Sequence, residues 1–479
     1  MKFSFISLLI ICAALCLFYL IRVEGRAFVL LAVSLWYVAY LDRLSFVWLI
    51  GVTAFTYAGG LIMQRLLDRE KKRASRIVMI ISTAAIAALL LFMKYSPLLK
   101  GMDTVSDDLL KIFVLPLGIS YYTFQAISYL ADLQKGKTKA QKNIIIFALY
   151  MSFFPKFISG PIEREGDFES RIKGLKTVCL LEKGRIEKVF CYMLCGAFMK
   201  AVVADHIGLY VPALMEDPAA HGSAWLLIGV FFYAMQIYCD FAGYSLIAIG
   251  IAELFGVELT LNFKAPYLSK SPSEFWRRWH ISLSTWLRDY IYIPLGGNRK
   301  GLPRQLLNTM VVFALCGLWH GSSFKFLLWG LLHGAFSALA LLIGMNSSEK
   351  NPVKIWISRI STFVVVSFGW ILFATPDTST ALFYVKRIFT AGASAGSFVE
   401  EMQLLGMSPV ELAVIISGII LVMIMDIYVY RKGKILPELV LEWKYGWRYF
   451  LYYVLIVLLF IFTRSFSDLN AGSFMYMDY

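Results

Sequence analysis

Long apolar runs separated by short polar and basic tracts fill this chain from end to end. They fall near residues 3–21, 27–41, 44–63, 77–95, 109–131, 144–160, 189–211, 223–256, 305–319, 324–344, 355–374, 409–430 and 447–463. A helix needs about 20 apolar residues to cross a bilayer, and several runs are short or long for one crossing, so the pattern predicts about eleven spans with re-entrant or tilted pieces. The expectation is an all-α, polytopic membrane protein. No internal repeat, low-complexity tract or soluble block interrupts it, so residues 1–479 are read as one membrane-embedded domain. The first run follows a lysine but lacks a small-residue cleavage site and is followed at once by more apolar sequence. It is read as a retained helix rather than a signal peptide.

Composition strengthens this class assignment: 59% of residues are hydrophobic, 16% aromatic and only 16% charged. The net charge of +14 sits in short tracts between apolar runs, which is the pattern of cytoplasmic loops and not of a nucleic-acid surface. Arg65, Arg69, Lys71, Lys72, Arg73 and Arg76 form one such tract, and Lys135, Lys137, Lys139 and Lys142 another. With two spans between them, both face the cytoplasm, and counting back puts the N-terminus outside. The stretch 161–188 mixes both signs of charge, and its entry, Phe154 to Pro161, is rich in helix breakers. A re-entrant or surface-lying segment is expected there. The seven cysteines form no CxxC pair, so neither a disulfide framework nor a metal site is indicated.

The richest segment is residues 271–290. Ser271, Pro272 and Glu274 spell a capping box with proline at the first helical position. At 100° per residue, Phe275, Trp276, Trp279, Leu283, Trp286, Leu287 and Tyr290 share one face. Arg277, Ser284 and Arg288 share the other, with His280 at its edge. This predicts an amphipathic interfacial helix with His280 near a cytosolic opening. A simple membrane-surface anchor, with indoles at headgroup level and arginines on phosphate, fits the same pattern.

The next span ends in Cys316-Gly317-Leu318-Trp319-His320-Gly321, which places His320 where a helix meets a small-residue break. Gly317 and Gly321 would admit a substrate or another backbone. An ionisable group at membrane depth is a functional candidate by default, yet on spacing alone a histidine satisfied between helices fits His320 as well as a catalytic one. His333 suits packing against a neighbouring helix, and His206 and His221 flank a short loop with no special role. Asp240 and Glu253, inside an apolar run, should face the bundle interior or a cavity.

Taken together, Tyr238-Cys239-Asp240-Phe241-Ala242-Gly243-Tyr244-Ser245, Asn262-Phe263, Phe275 through Ser284, Leu287-Arg288-Asp289-Tyr290, Pro294-Leu295-Gly296-Gly297 and Leu318-Trp319-His320-Gly321 resemble the membrane-bound O-acyltransferases. The similarity covers about residues 110–340 and extends to Phe154 through Ile162. It is strongest to the branch of alginate O-acetyltransferase membrane subunits and the teichoic acid D-alanyltransferases. The sequence departs from that branch at Leu246, where a polar residue is common. The resemblance implies acyl transfer inside the membrane, with His320 as the catalytic general base and His280 as a second, positioning or stabilising histidine. Asp240, Arg277, Arg288, Asp289 and Trp319 are possible support for that site.

The terminal Phe474-Met475-Tyr476-Met477-Asp478-Tyr479 resembles an aromatic signature of the same branch, which implies Tyr476 as an acyl relay. It ends in tyrosine where the branch has phenylalanine, and an aromatic tail docked in the headgroup belt is the alternative. By the same resemblance the donor is an acyl thioester, acetyl-CoA or an acyl carrier protein, with no permanently bound cofactor and no metal. The implied partners are membrane lipids, a periplasmic or extracellular acyltransferase of the SGNH-hydrolase type, and an exported polysaccharide as final acceptor. The cell membrane is the expected location. D-alanyl transfer to teichoic acid is the rival within the class; the tail signature fused to this chain favours acetyl transfer. A transporter or polymer flippase would show paired inverted repeats, which are not visible here, and a recruiting scaffold would tolerate loss of both histidines.

Overall fold

The computed structural model describes residues 5–96, 115–179, 182, 184–345, 351–392 and 398–462. Helices dominate, as backbone polar groups in hydrocarbon require, and no strand occurs among the described residues. Eight helical stretches among them are long and apolar enough to cross a membrane: Val23–Leu41, Arg43–Asp68, Lys72–Tyr95, Ser223–Leu254, Phe324–Leu342, Pro352–Ala374, Pro409–Lys432 and Tyr445–Phe462. Leu9–Leu20 and Ile144–Lys156 are apolar but shorter. The expected run at 109–131 is a helix over Ile119–Gln134, its first residues lying outside the described ones.

The backbone contacts divide into two compact units, residues 1–189 with 248–260 and residues 190–247 with 261–479. In the first, α1 (Phe5–Leu20), α2 (Arg26–Leu41), α3 (Arg43–Asp68), α4 (Lys72–Tyr95), α5 (Ile119–Gln134) and α6 (Ile144–Ser152) pack with the short α7 (Glu165–Gly174). Residues 151–163 are buried throughout, so the breaker-rich segment there is not surface-lying. Its polar groups are matched one by one. Ser34 Oγ accepts from the Phe154 amide, Lys156 Nζ donates to the Tyr150 carbonyl at 2.7 Å, and Glu163 accepts from Arg171 at 2.6 Å and from the Thr260 hydroxyl at 3.0 Å. Burying such groups without partners would be strongly unfavourable. Glu253, as expected, is buried, and it pairs with Lys188 at 3.2 Å.

The second unit holds α8 (Arg185–Ala197) from Phe190 onward, and it continues as a π-helical turn over Phe198–Ala204. It also contains α9 (Ser223–Leu254) as far as Ile247, α10 (Pro272–Arg278), α11 (Ile281–Leu287), α12 (Leu302–His320), α13 (Phe324–Leu342), α14 (Pro352–Ala374) and α15 (Thr378–Thr390). After these come α16 (Pro409–Lys432), α17 (Leu436–Leu441) and α18 (Tyr445–Phe462). Helices α12 and α13 cross closely enough that a Cβ on Gly317 would lie 2.2 Å from the Phe326 carbonyl oxygen. One on Gly330 would lie 2.2 Å from that of Phe313. Gly317 therefore admits a neighbouring backbone, the contact small residues allow between membrane helices.

One expectation fails instructively. Residues 271–290 are not one interfacial helix: the chain breaks at Trp279–His280, and after Leu287 it winds into a π-helical turn over Arg288–Tyr292. Its aromatic face does not rest on lipid either. Phe275 and Trp279 are each 1% exposed and pack on protein, with Trp279 against Tyr267 and Trp370, and Trp276 against Trp329 and Phe313. A face of indoles buries equally well against protein or headgroups, so periodicity alone did not distinguish the two.

Candidate active site

Two backbone devices build the site. Ser271 Oγ accepts from the Glu274 amide while the Glu274 carboxylate accepts from the Lys270 amide at 2.8 Å, which fixes the start of α10. Proline at the first helical position adds a preset φ. The helix ends after two turns because the irregular segment 262–264 captures the next residues. Lys264 N donates to the Arg278 carbonyl and Ile281 N to the Asn262 carbonyl, both at 3.0 Å, and the Asn262 side-chain oxygen accepts from Ser282 N at 3.2 Å. His280 sits between those captured residues at φ +42°, ψ +54°. This is left-handed backbone, which costs a non-glycine residue about 1–2 kcal/mol. Strain held by such over-determined surroundings is common at functional positions.

The kink turns His280 inward. The residue is 1% exposed, not at an opening, and its ring meets Phe241 of α9 edge-on at 4.9 Å and Trp319 of α12 at 6.2 Å. Burial pushes its pKa down to about 3, so the imidazole is neutral over the working range.

His320 is the last residue of α12, with Gly321 beyond it in extended backbone. It is 5% exposed. Its ring is met by Trp319 at 4.8 Å, Trp329 at 5.0 Å and Phe373 at 5.1 Å, each steeply inclined to it. Trp319 therefore touches both imidazoles and joins them into one cluster. Phe373 is held by Lys325, whose buried ammonium donates to the carbonyls of Phe373 and Thr375 at 3.3 and 2.5 Å, across the C-terminus of α14. That charge suits the negative end of a helix dipole.

The other expected residues fall into two groups. Asp240 is buried and ion-paired with Lys200 at 2.7 Å, which fixes α9 one residue before Phe241, the ring on His280. By contrast Arg277 is exposed, and Arg288 is 59% exposed and paired with its neighbour Asp289 at 2.8 Å. These three charges line the outer side of the segment while both histidines are buried. Tyr476 lies outside the described residues. His333 is fully buried among Trp276, Trp329 and Trp370, an environment of packed rings. Asn262, Phe241, Lys200, Lys325 and Phe373 had no role in the reading from chemistry and spacing. Each acts through a contact made across sequence, and only Asn262 and Phe241 stand inside the motifs that carry the family resemblance. Among the described residues no group of histidine, cysteine and carboxylate side chains could hold a metal.

Known proteins share this arrangement of sequence. The chain is 39% identical over 331 residues to a probable alginate O-acetylase of Pseudomonas fluorescens, covering 67% of this chain and 63% of that relative. It is 35% identical over 411 residues to the corresponding protein of Pseudomonas aeruginosa, covering 82% and 75%. A teichoic acid D-alanyltransferase of Streptococcus thermophilus is 29% identical over 280 residues, covering 55% and 64%. The profile of the membrane-bound O-acyltransferase family matches residues 77–375, a range that contains the whole histidine cluster. With crossing-length apolar helices on both sides of that cluster, the chain is a multi-pass membrane protein that belongs to the membrane-bound O-acyltransferase family.

Proposed function

We propose that this protein is an O-acetyltransferase that takes an acetyl group from a cytoplasmic thioester, most simply acetyl-CoA, and passes it across the membrane toward an exported polysaccharide. The observation that carries the reading is the Trp319 indole lying against both His280 and His320 at a helix end. His320 is the general base. It takes the acceptor hydroxyl proton as the oxygen attacks the thioester carbonyl, and the C-terminal end of α12 stabilises the imidazolium that forms. His280, neutral, donates a ring N–H toward the oxyanion of the tetrahedral intermediate. Collapse of the intermediate expels the thiolate, which takes the proton back from His320, so the base is regenerated. The aromatic walls keep water from hydrolysing the thioester.

Tyr476 is the proposed first acceptor, since a phenol with pKa about 10 loses its proton more readily than a sugar hydroxyl. An outer acyltransferase of the SGNH-hydrolase type would then complete the transfer to polymer. The acetyl assignment draws on the names of the alginate relatives. The test replaces His320 by Ala or Gln and measures ester-linked acetate on the exported polymer at matched membrane levels of protein. A loss of about 100-fold or more is expected of a missing general base. Unchanged acetylation would overturn the mechanism, and esterified D-alanine in place of acetate would redirect it to the second branch.

A further inference from the structure

The second unit contains a pocket that the histidine chemistry does not use. It is open on one side with an enclosed volume of about 50 Å³, and its walls are mostly aliphatic, drawn from α8, α9, α16, α17 and residues 261–265. Three polar groups interrupt that wall. Asp426, on α16, is half-buried; its Oδ1 accepts from the Tyr238 hydroxyl at 2.9 Å, and its Oδ2 accepts no hydrogen bond from any described residue. Lys264 lines the same pocket and makes no ion pair among the described residues. Ser245, two turns along α9 from Tyr238, has a buried hydroxyl with no hydrogen-bond partner among the described residues. A carboxylate, an ammonium and an unsatisfied hydroxyl in an otherwise apolar pocket ask for a ligand that is zwitterionic at one end and apolar over the rest.

We propose that this pocket is a binding site for a phospholipid with a primary-amine headgroup. The ammonium donates to Asp426, the phosphate lies toward Lys264, and the first acyl segments cover the aliphatic wall. Charge-assisted hydrogen bonding gives the discrimination: an ammonium offers three N–H donors to a carboxylate, whereas a trimethylammonium offers none and a glycerol headgroup carries no positive charge. The pocket is also one aromatic layer from the histidine cluster. Tyr238 and Phe263 line it, and Phe263 packs on Phe241 at 4.9 Å, the ring that meets His280. Occupancy would stiffen that layer.

Native mass spectrometry of the full chain in detergent, given equal amounts of phosphatidylethanolamine, phosphatidylcholine and phosphatidylglycerol, tests the site. The expected result is preferential retention of phosphatidylethanolamine. Asp426→Asn keeps the acceptor for Tyr238 and should lower that retention about tenfold, to the level of the other two lipids, as loss of one charge-assisted bond implies. Lys264→Gln, on an independent side of the pocket, should weaken all three lipids by a similar factor, since each carries the phosphate, and leave the order of preference unchanged. Equal retention of all three lipids by the unmodified protein, or an undiminished preference in Asp426→Asn, would overturn the proposal. So would free phosphoethanolamine displacing the lipid at equal concentration, since the ligand would then be a soluble molecule.

Discussion

His320 and His333 lie thirteen residues apart on two helices that cross at glycines, and both are buried against the Trp329 indole. Their positions on those helices differ. His320 ends α12, beside Trp319, which connects it to His280. His333 lies within α13, fully buried, with neither ring nitrogen hydrogen-bonded among the described residues. Both imidazoles are walled by rings, but one stands at a helix end, joined through Trp319 to a second histidine, and the other stands inside its helix. Under the proposed mechanism, position along the helix and not burial distinguishes the two.

The sharpest way to break this comparison is to exchange the two losses. Where His320→Ala is expected to abolish acetylation, His333→Leu should leave it within about threefold of the unmodified protein, because removing a buried polar group that has no partner and filling its space is close to neutral. The melting temperature in detergent should hold or rise. Acetylation lost in His333→Leu, with folding intact, would show that the enclosed ring takes part in the chemistry.

How far the sequence revealed this site depends on the range of the interaction. Apolar periodicity located the helices because each reports its own burial, and Asp240 was placed in the interior because a lone carboxylate in an apolar run has few other options. Its partner Lys200 stood unremarked, because a lysine forty residues away carries no mark of the pairing. The break at His280 was missed for a similar reason. The pattern of Trp276, Trp279 and Leu283 continues with helical spacing straight through it, while the captor, Asn262, comes from an earlier segment. The histidine pair itself was legible through motif resemblance, and its closeness became visible only once α10 and α11 were separated.

A smaller effect tests how tightly His333 is enclosed. A Cβ on Gly369 of α14 would lie 2.7 Å from His333 Nε2. Glycine to alanine inside a helix normally gains about 1 kcal/mol, yet overpacking of this kind costs about 1–3 kcal/mol. Gly369→Ala should therefore show no net gain or a lower melting temperature. In a His333→Ala background the same change should be favourable, since the clash is gone, and a double-mutant cycle measures the difference. Equal effects in both backgrounds would mean that the ring moves aside freely and that the enclosure is loose.

The smallest expected effect concerns pH. Burial holds the His280 pKa near 3, below the value of about 6.5 for a free imidazole. The unfolded chain would take up this proton first, so the contribution of His280 to stability is complete above about pH 6.5 and declines as pH falls toward 3. Over the range in which acetylation is measured, His280 then stays neutral and contributes no titration of its own. His280→Gln keeps an N–H donor but moves it from the ring position, so it should lower the rate while leaving the midpoint of the acid limb where it is. The base that loses activity on protonation is His320 in this mechanism, and it is intact in that variant. A shifted midpoint in His280→Gln would mean that the two imidazoles share a proton, and the separate roles assigned to the helix end and the kink would merge into one.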